Sequence, residues 1–332
     1  MSRQYKATVF IPTWFGEKYI EELLTMVLSQ QTDFKYEVLI YDTSSADKTP
    51  DIIQKFVNKH DNVRFKSITK DKFGHGKTRQ AAAKDAKGEI VVYLSQDARP
   101  AHDRWLHEIV KPFDLSEKIV GVIGRQEPRH HAFPLLKYEI WAVFNNFGVS
   151  TGTTLYYRDD FVKDQATYDH ISFYSDVNSA ARRSFLVNII PYRDVPYSED
   201  QLFGRELIDA GYRKAYAPRA SVVHSNDIKL REYQNRMFDE TIGLRKVGVP
   251  VKTPGRKIIA KLITRGVVRD WLYTLRDPHY SPTRKMYWLA VNPLFHIEKW
   301  RGVRRASLAS LDDTELIEKY SLENIRDNQR KA

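Results

Sequence analysis

The sequence predicts an α/β fold: a mostly parallel central sheet flanked by helices, with a basic helical extension towards the C-terminal end. Three observations carry this reading. Short β-branched or apolar runs alternate with helical periodicity through the N-terminal part of the chain. The run Ile90-Val91-Val92-Tyr93-Leu94 is apolar on both faces, as a buried central strand of a parallel sheet must be. The positive charge is also unevenly spread: Lys229 to Arg305 holds 18 Lys and Arg against 6 Asp and Glu, leaving 35 against 36 elsewhere.

Taken in order, Ala7 to Thr13 predicts a first strand ending at Pro12-Thr13, and Met1 to Lys6 leads directly into it. Tyr19, Ile20, Leu23, Leu24, Val27 and Leu28 then follow helical spacing. Tyr36 to Asp42 predicts a second strand, closing on a carboxylate and the hydroxyl-rich turn Thr43 to Thr49. Pro50 to His60 predicts a helix, since proline is at home in a first turn. Val63 to Ile68 reads as a third strand, Thr78 to Ala86 as a helix and Ile90 to Leu94 as the central strand. Strand and helix alternate throughout, which favours parallel pairing with right-handed crossovers. Further on, Ile119 to Gly124 and Ala220 to His224 predict strands, and Glu199-Asp200 open an amphipathic helix carrying Leu207 and Ile208.

The 332 residues suffice for one large domain, or for one domain with an appended lobe. With no cysteine there is neither a disulfide framework nor a thiolate metal site. No apolar run reaches the ~18 residues that span a bilayer, and no signal-peptide pattern is present, so a cytoplasmic protein is expected.

Several polar groups sit where chemistry would be placed. Open α/β sheets bind ligands beyond the carboxyl ends of their strands, so Asp97 either caps the turn before Pro100 or meets a ligand there. The stretch Lys70 to Arg79 contains Gly74, Gly76 and four basic side chains beside a helix N-terminus. It is either a solvated turn or a phosphate cradle, but not a P-loop, whose glycine spacing it lacks. Glu199 and Asp200 at a helix start could be dipole complements or an acid pair. His224 at a strand end could be a surface group or a ligand.

Together, Pro12-Thr13 closing the first strand, Asp42 with Ser44, Ser45 and Asp47, the Gly76 to Arg79 loop, Asp97 after an apolar strand, Glu199-Asp200 and His224 resemble the inverting glycosyltransferases of family 2, over residues 5 to 230. The resemblance implies the GT-A fold, with a Rossmann-like sheet, and a division into a catalytic domain 1–230 (nucleotide-sugar half 1–100, acceptor half 101–230) and a helical extension 231–332. The segments Phe73 to Arg79, Ser95 to Ala98, Gly124 to Gln126 and Asp176 to Arg183 look like the rhamnosyltransferase branch. That likeness implies a dTDP-L-rhamnose donor and a polyprenyl-diphosphate-linked glycan acceptor in bacterial O-antigen or cell-wall synthesis. A UDP-hexose or UDP-N-acetylhexosamine donor is the alternative.

Carried over residue by residue, the pattern implies donor binding by Pro12, Thr13, Asp42, Ser44, Gly76, Arg79, Gln96 and Asp97. Asp42 would accept from the pyrimidine N3–H, and Gly76 and Arg79 would border the diphosphate. It implies Mg²⁺ or Mn²⁺ at Asp97 and His224, acceptor binding by Arg125, Gln126, Ser179 and Glu199, and Asp200 as the base. Two departures stand out. Ser95-Gln96-Asp97 offers one carboxylate where the family usually has two, and Trp14-Phe15 replaces the usual Tyr-Asn. The roles are chemically reasonable. A hard dication offsets charge developing on a leaving diphosphate, and a carboxylate taking the acceptor hydroxyl proton is worth ~10²–10⁴ in rate.

In the basic stretch, Ile258, Ile259, Leu262, Ile263, Val267, Trp271, Leu272 and Leu275 follow helical spacing within Arg256 to Arg276, and Lys257, Lys261, Arg265 and Arg269 recur every four residues beside them. A second aromatic-rich segment runs from Met286 to Arg305. Cations beside an apolar stripe with tryptophan suit an anionic membrane surface contacted through 256–305. The protein would then be peripheral at the inner face of the plasma membrane. The stripe could instead pack on the catalytic domain or on a second protomer of a homodimer. Nucleic-acid binding is disfavoured, because no recognised module is present. The tail from Asp312 to Ala332 is expected to be a short exposed helix with a loose end.

Overall fold

The computed structural model describes residues 5–159, 162, 164–195, 197–225 and 228–331, with side chains to 326. Met1 to Gln4 and Ala332 of the sequence reading lie outside the described residues.

The chain divides into two compact units, Met1–Glu127 with Val143–His224, and Pro128–Ala142 with Ser225–Ala332. The last break between the units falls between His224 and Ser225. Pro128–Ala142, which the sequence division leaves in the catalytic part, belongs to the second unit.

The first unit is built on strands β1 (Ala7–Thr13), β2 (Tyr36–Asp42), β3 (Val63–Ser67), β4 (Ile90–Leu94), β5 (Arg99–Pro100), β6 (Ile119–Glu127), β7 (Thr154–Tyr156), β8 (Asn178–Arg182) and β9 (Arg213–Val223). Their order in one sheet is β3-β2-β1-β4-β8-β6-β9-β5, with β7 also on β9. The first four strands pair in parallel, as the alternation requires, with Thr13 level with Asp42 at the carboxyl ends of β1 and β2. The helices beside them are α1 (Ile20–Leu28), α2 (Thr49–Lys59), α3 (His75–Asp85) and α4 (Trp105–Val110). Val9, Ile11, Val38, Ile40, Ile90 and Val92 are fully or almost fully buried against Ile20, Leu24, Ile53, Trp105 and Leu106.

The antiparallel strand β8 departs from the parallel reading, pairing with both β4 and β6. Its small, unbranched sequence Asn-Ser-Ala-Ala-Arg gives no local strand signal; its place is fixed by Asn178. That amide accepts from Trp105 Nε1 (2.9 Å) and donates to the carbonyls of Arg125 (3.0 Å) and Ala220 (2.8 Å). A Cβ on Gly124 would lie 2.2 Å from Asn178 Nδ2, so the close fit requires glycine there. Strand β9 is also longer than Ala220 to His224. Its first half holds Arg213, Lys214 and Pro218, and Lys214 is buried among Phe147 and Tyr156 with its Nζ on the Phe173 carbonyl (2.5 Å).

Four more helices follow: α5 (Pro134–Asn145), which crosses from the second unit into the first, then α6 (Gln165–Ser172), α7 (Arg183–Asn188) and α8 (Glu199–Asp209) of the first. The remainder of the second unit holds α9 (Leu230–Lys246), α10 (Arg256–Arg276), α11 (Pro282–Leu308), α12 (Thr314–Tyr320) and α13 (Leu322–Lys331). Helix α10 has the expected bounds. The aromatic segment after it is one 27-residue helix that continues through Pro293. The first part of the tail is packed rather than exposed: Leu316, Ile317 and Tyr320 pack on Phe238, Ile242 and Ala306, and Leu322 N–H donates to buried Asp239 (2.8 Å). Pro134–Ala142 belongs with these helices because Leu135 N–H donates to Asn292 (3.0 Å) and Lys137 pairs with Asp277 (2.5 Å).

Candidate active site

The carboxyl ends of β1, β2 and β4 are tied together by their own polar groups. Thr13 Oγ1 and Ser45 Oγ donate to Asp42 Oδ1 (2.9 and 2.7 Å), and Ser45 N–H donates to Oδ2 (2.8 Å). Thr13 and Asp42 are therefore buried, with three of the carboxylate's roughly four acceptor sites in use. Gln96 receives the Trp14 N–H and donates to the Trp14 carbonyl, each at 3.0 Å, so it holds the chain leaving β1. Ser44 bonds the Ile68 carbonyl (2.9 Å). Pro12, on β1 beside Tyr41, is partly exposed.

Among the described residues the non-glycines with positive φ are Phe15 (49°), Ser44 (48°) and Ser198 (62°), one in each turn leaving β1, leaving β2 and entering α8. Such backbone strain tends to gather where geometry serves a ligand.

Beyond β4 the turn presents Asp97, and beyond β9 the chain presents His224. Their facing atoms, Oδ2 and Nε2, are 3.5 Å apart. His224 Nδ1 is buried without a hydrogen-bond partner. One carboxylate and one imidazole form a partial oxygen-and-nitrogen donor set. No group of three or more His, Cys, Asp or Glu able to hold a metal occurs among the described residues. The pair thus fits a divalent cation that takes its remaining ligands from a diphosphate and water.

The second cluster surrounds Arg79. Helix α3 starts at His75, earlier than Thr78, so Gly76 and Arg79 are helical rather than part of a loop. A Cβ on Gly76 would sit 1.8 Å from the Arg193 carbonyl oxygen, so this glycine permits close approach of two backbones. Arg79 points at carboxylates: Nε lies 2.9 Å from Asp176 Oδ2 and Nη1 2.7 Å from Glu199 Oε1. Burial works against its charge, but Glu199 and Asp176 outweigh that and hold the guanidinium protonated. Asp176 also accepts from Ser179 (2.6 Å) and Tyr192 (2.8 Å).

Asp200 follows Glu199 in the first turn of α8. Its oxygens receive Gln201 N–H (2.8 Å) and Asp176 N–H (3.3 Å). Burial raises its pKa to about 8, Glu199 and Asp176 add to the rise, and Arg79 opposes it. Three carboxyl groups thus share one guanidinium, and burial beside two other carboxyl groups makes Asp200 more basic than an ordinary aspartate. A partly exposed carboxyl with raised basicity is a chemically apt proton acceptor.

The residues expected at the acceptor are more dispersed. Arg125 is engaged by Glu127 and by Asn145 (2.7 Å), and Gln126 donates to Ser175 (3.0 Å). Ser179 is buried on Asp176, and Glu199 on Arg79. Asp176 and Tyr192 have no role in the sequence reading, yet they complete the cluster. The available signal was an acidic residue flanked by Tyr174 and Asn178 just before a segment of small residues.

The family model described as "Glycosyl transferase family 2" matches residues 8–189. The chain belongs to glycosyl transferase family 2. Within the family, the O-antigen chain rhamnosyltransferase WbaN of Salmonella anatum is 32% identical over 235 residues, covering 70% of each chain. The O-antigen chain rhamnosyltransferase RfbN of Salmonella typhimurium is 28% identical over 240 residues, covering 70% of this chain and 71% of its own. The structure of S. aureus TarS 1–349 in complex with UDP-GlcNAc superposes with a TM-score of 0.52 at 19% identity, over 95% of this chain and 79% of that one. The fold is GT-A-like, and the chain is a glycosyltransferase.

Proposed function

We propose that this family 2 enzyme transfers L-rhamnose from dTDP-L-rhamnose, with inversion, to a hydroxyl of a lipid-diphosphate-linked glycan in bacterial cell-wall or O-antigen synthesis. The carrying observation for the chemistry is Asp200, a partly exposed carboxyl of raised basicity beside the Arg79 cluster. The rhamnose assignment is supported by the two O-antigen rhamnosyltransferases among the relatives.

In this reading Asp200 removes the proton of the acceptor hydroxyl as its oxygen attacks the anomeric carbon from the face opposite the leaving nucleotide. One displacement inverts the centre and needs no carboxylate nucleophile. Asp176 N–H and Gln201 N–H orient the base. Asp97 and His224 would hold Mg²⁺ or Mn²⁺, which supplies charge stabilisation to the departing diphosphate. Asp42 would greet the pyrimidine with its remaining acceptor capacity, which suits uracil as well as thymine.

Among the described residues no helix is long and apolar enough to cross a membrane. Contact with a lipid-borne acceptor would come from α10, whose Ile258, Leu262, Trp271, Leu272 and Leu275 are exposed beside Lys257, Lys261 and Arg265.

The test is the mass of the product formed from a synthetic lipid-diphosphate glycan, with dTDP-rhamnose and UDP-sugars offered separately in Mg²⁺ or Mn²⁺. The expected result is gain of one deoxyhexose from dTDP-rhamnose alone. Transfer only from a UDP-sugar overturns the rhamnose assignment and leaves the displacement chemistry intact.

A further inference from the structure

In the second unit, α10 and α11 form an antiparallel hairpin. Trp271 Nε1 donates to the Leu289 carbonyl (2.9 Å), and Thr253, just before α10, bonds the Ser307 carbonyl (3.3 Å) near the end of α11. At that end a cavity of about 480 Å³ is lined by Arg301, Arg304, Arg305, Leu308 and Ala309, with Leu316 of α12. It is an open depression at the surface rather than an enclosed pocket, with Leu308 58% exposed on its wall.

Basic side chains at a helix C-terminus commonly answer the helix dipole and its free carbonyls. Here another residue does that work: Arg245 of α9 donates to the carbonyls of Ala306 (2.5 Å) and Ala309 (2.7 Å). Arg301 pairs with Glu298 (2.6 Å), and Arg305 lies over the Tyr320 ring at 4.1 Å. Arg304 has no carboxylate partner among the described residues, and its Nε is buried without an acceptor. A guanidinium N–H held out of water lacks an oxygen that it would normally have. The lining has a second character: Leu308, Ala309 and Leu316 give it apolar surface. The exposed Ile258 and Leu262 stand on the first turns of α10, the end of the hairpin that meets this end of α11.

We propose that this cavity binds the phosphoryl end of a lipid, the three arginines taking the oxyanion and the leucines the first part of its apolar chain. Guanidinium forks match phosphoryl oxygens in geometry and charge. Free phosphate shares that chemistry but would leave the leucine wall unused. The site shares no residue with the Asp97 and Asp200 clusters and does not depend on the donor assignment.

The experiment titrates the full chain with geranyl diphosphate and with inorganic diphosphate, in saturating UDP to block a nucleotide site, following heat of binding. Geranyl diphosphate is expected to bind at least tenfold tighter than inorganic diphosphate. Arg304→Gln and, separately, Leu308→Asp should each weaken it at least tenfold. Leu308 is 58% exposed, so its replacement leaves folding intact and introduces a repelling charge. Asp97→Ala should bind geranyl diphosphate as the unaltered chain does. Unchanged affinity in Leu308→Asp overturns the site, and equal affinity for both diphosphates overturns the lipid assignment in favour of a free anion.

Discussion

Replacing Asp200 by Asn should make the protein more stable while nearly abolishing transfer. The carboxyl's pKa is 3.8 in an ordinary setting and about 8 here. Below pH 4 both folded and unfolded chains carry the proton, so the group costs nothing. As pH rises towards 8 the unfolded chain releases it and the folded chain retains it, so stability is lost through that window. At pH 7 the shift corresponds to at most ~4 kcal/mol. Partial exposure reduces that figure. A gain of ~1–2 kcal/mol remains, or roughly 1.5–3 °C in melting temperature for a chain of 332 residues. Melting curves of both proteins at pH 4, 6 and 8 should coincide at pH 4 and separate progressively above it. Turnover should fall ~10²–10⁴-fold with nucleotide binding retained. Coincident curves at pH 8 would refute the account of the carboxyl's environment, and undiminished turnover would remove Asp200 as the base.

Arg79→Gln leaves Asp176 and Glu199 facing each other without their cation, and urea unfolding should register a loss of ~3–5 kcal/mol. Gly76→Ala drives a methyl against the Arg193 carbonyl; a cost of ~1–3 kcal/mol and reduced transfer are expected, measured by melting and product formation. Asp97→Ala should weaken nucleotide-sugar binding in Mn²⁺ by tenfold or more and leave binding in EDTA unchanged, whereas equal loss in both would argue against a cation at Asp97 and His224.

Much of the sheet could be read from the chain because its signals are local. β1, β2 and β4 are apolar runs buried on both faces, and α10 announces itself through Pro254-Gly255 and a regular stripe. β8 could not be read so, since Asn178 to Arg182 becomes a strand only through what Trp105, Arg125 and Ala220 do for Asn178. The aromatic-rich run from Met286 to Arg305 carried no clear helical signal, since it contains Pro293, which lacks a backbone N–H, yet it lies in one helix. At the site, Asp200, Asp97 and His224 stand at strand ends and a helix start, places that pattern reveals. The grip of Asp176 and Glu199 on Arg79 joins residues far apart in the chain, and nothing in the local sequence around Arg79 announces it.

The separation of Pro128–Ala142 from the rest of its own unit has a consequence for how the protein is made. Lys137 leaves the ribosome 140 residues before Asp277, its ion-pair partner, and at ~5–20 residues per second that is a wait of roughly 7–28 s. Leu135 waits longer for Asn292. During that interval the partly apolar stretch Phe133 to Ala142 has been synthesised ahead of the second-unit residues it packs with. Translation of the second unit is therefore what finishes a segment begun inside the first, and a chain released after His224 would display that stretch permanently to chaperones and proteases.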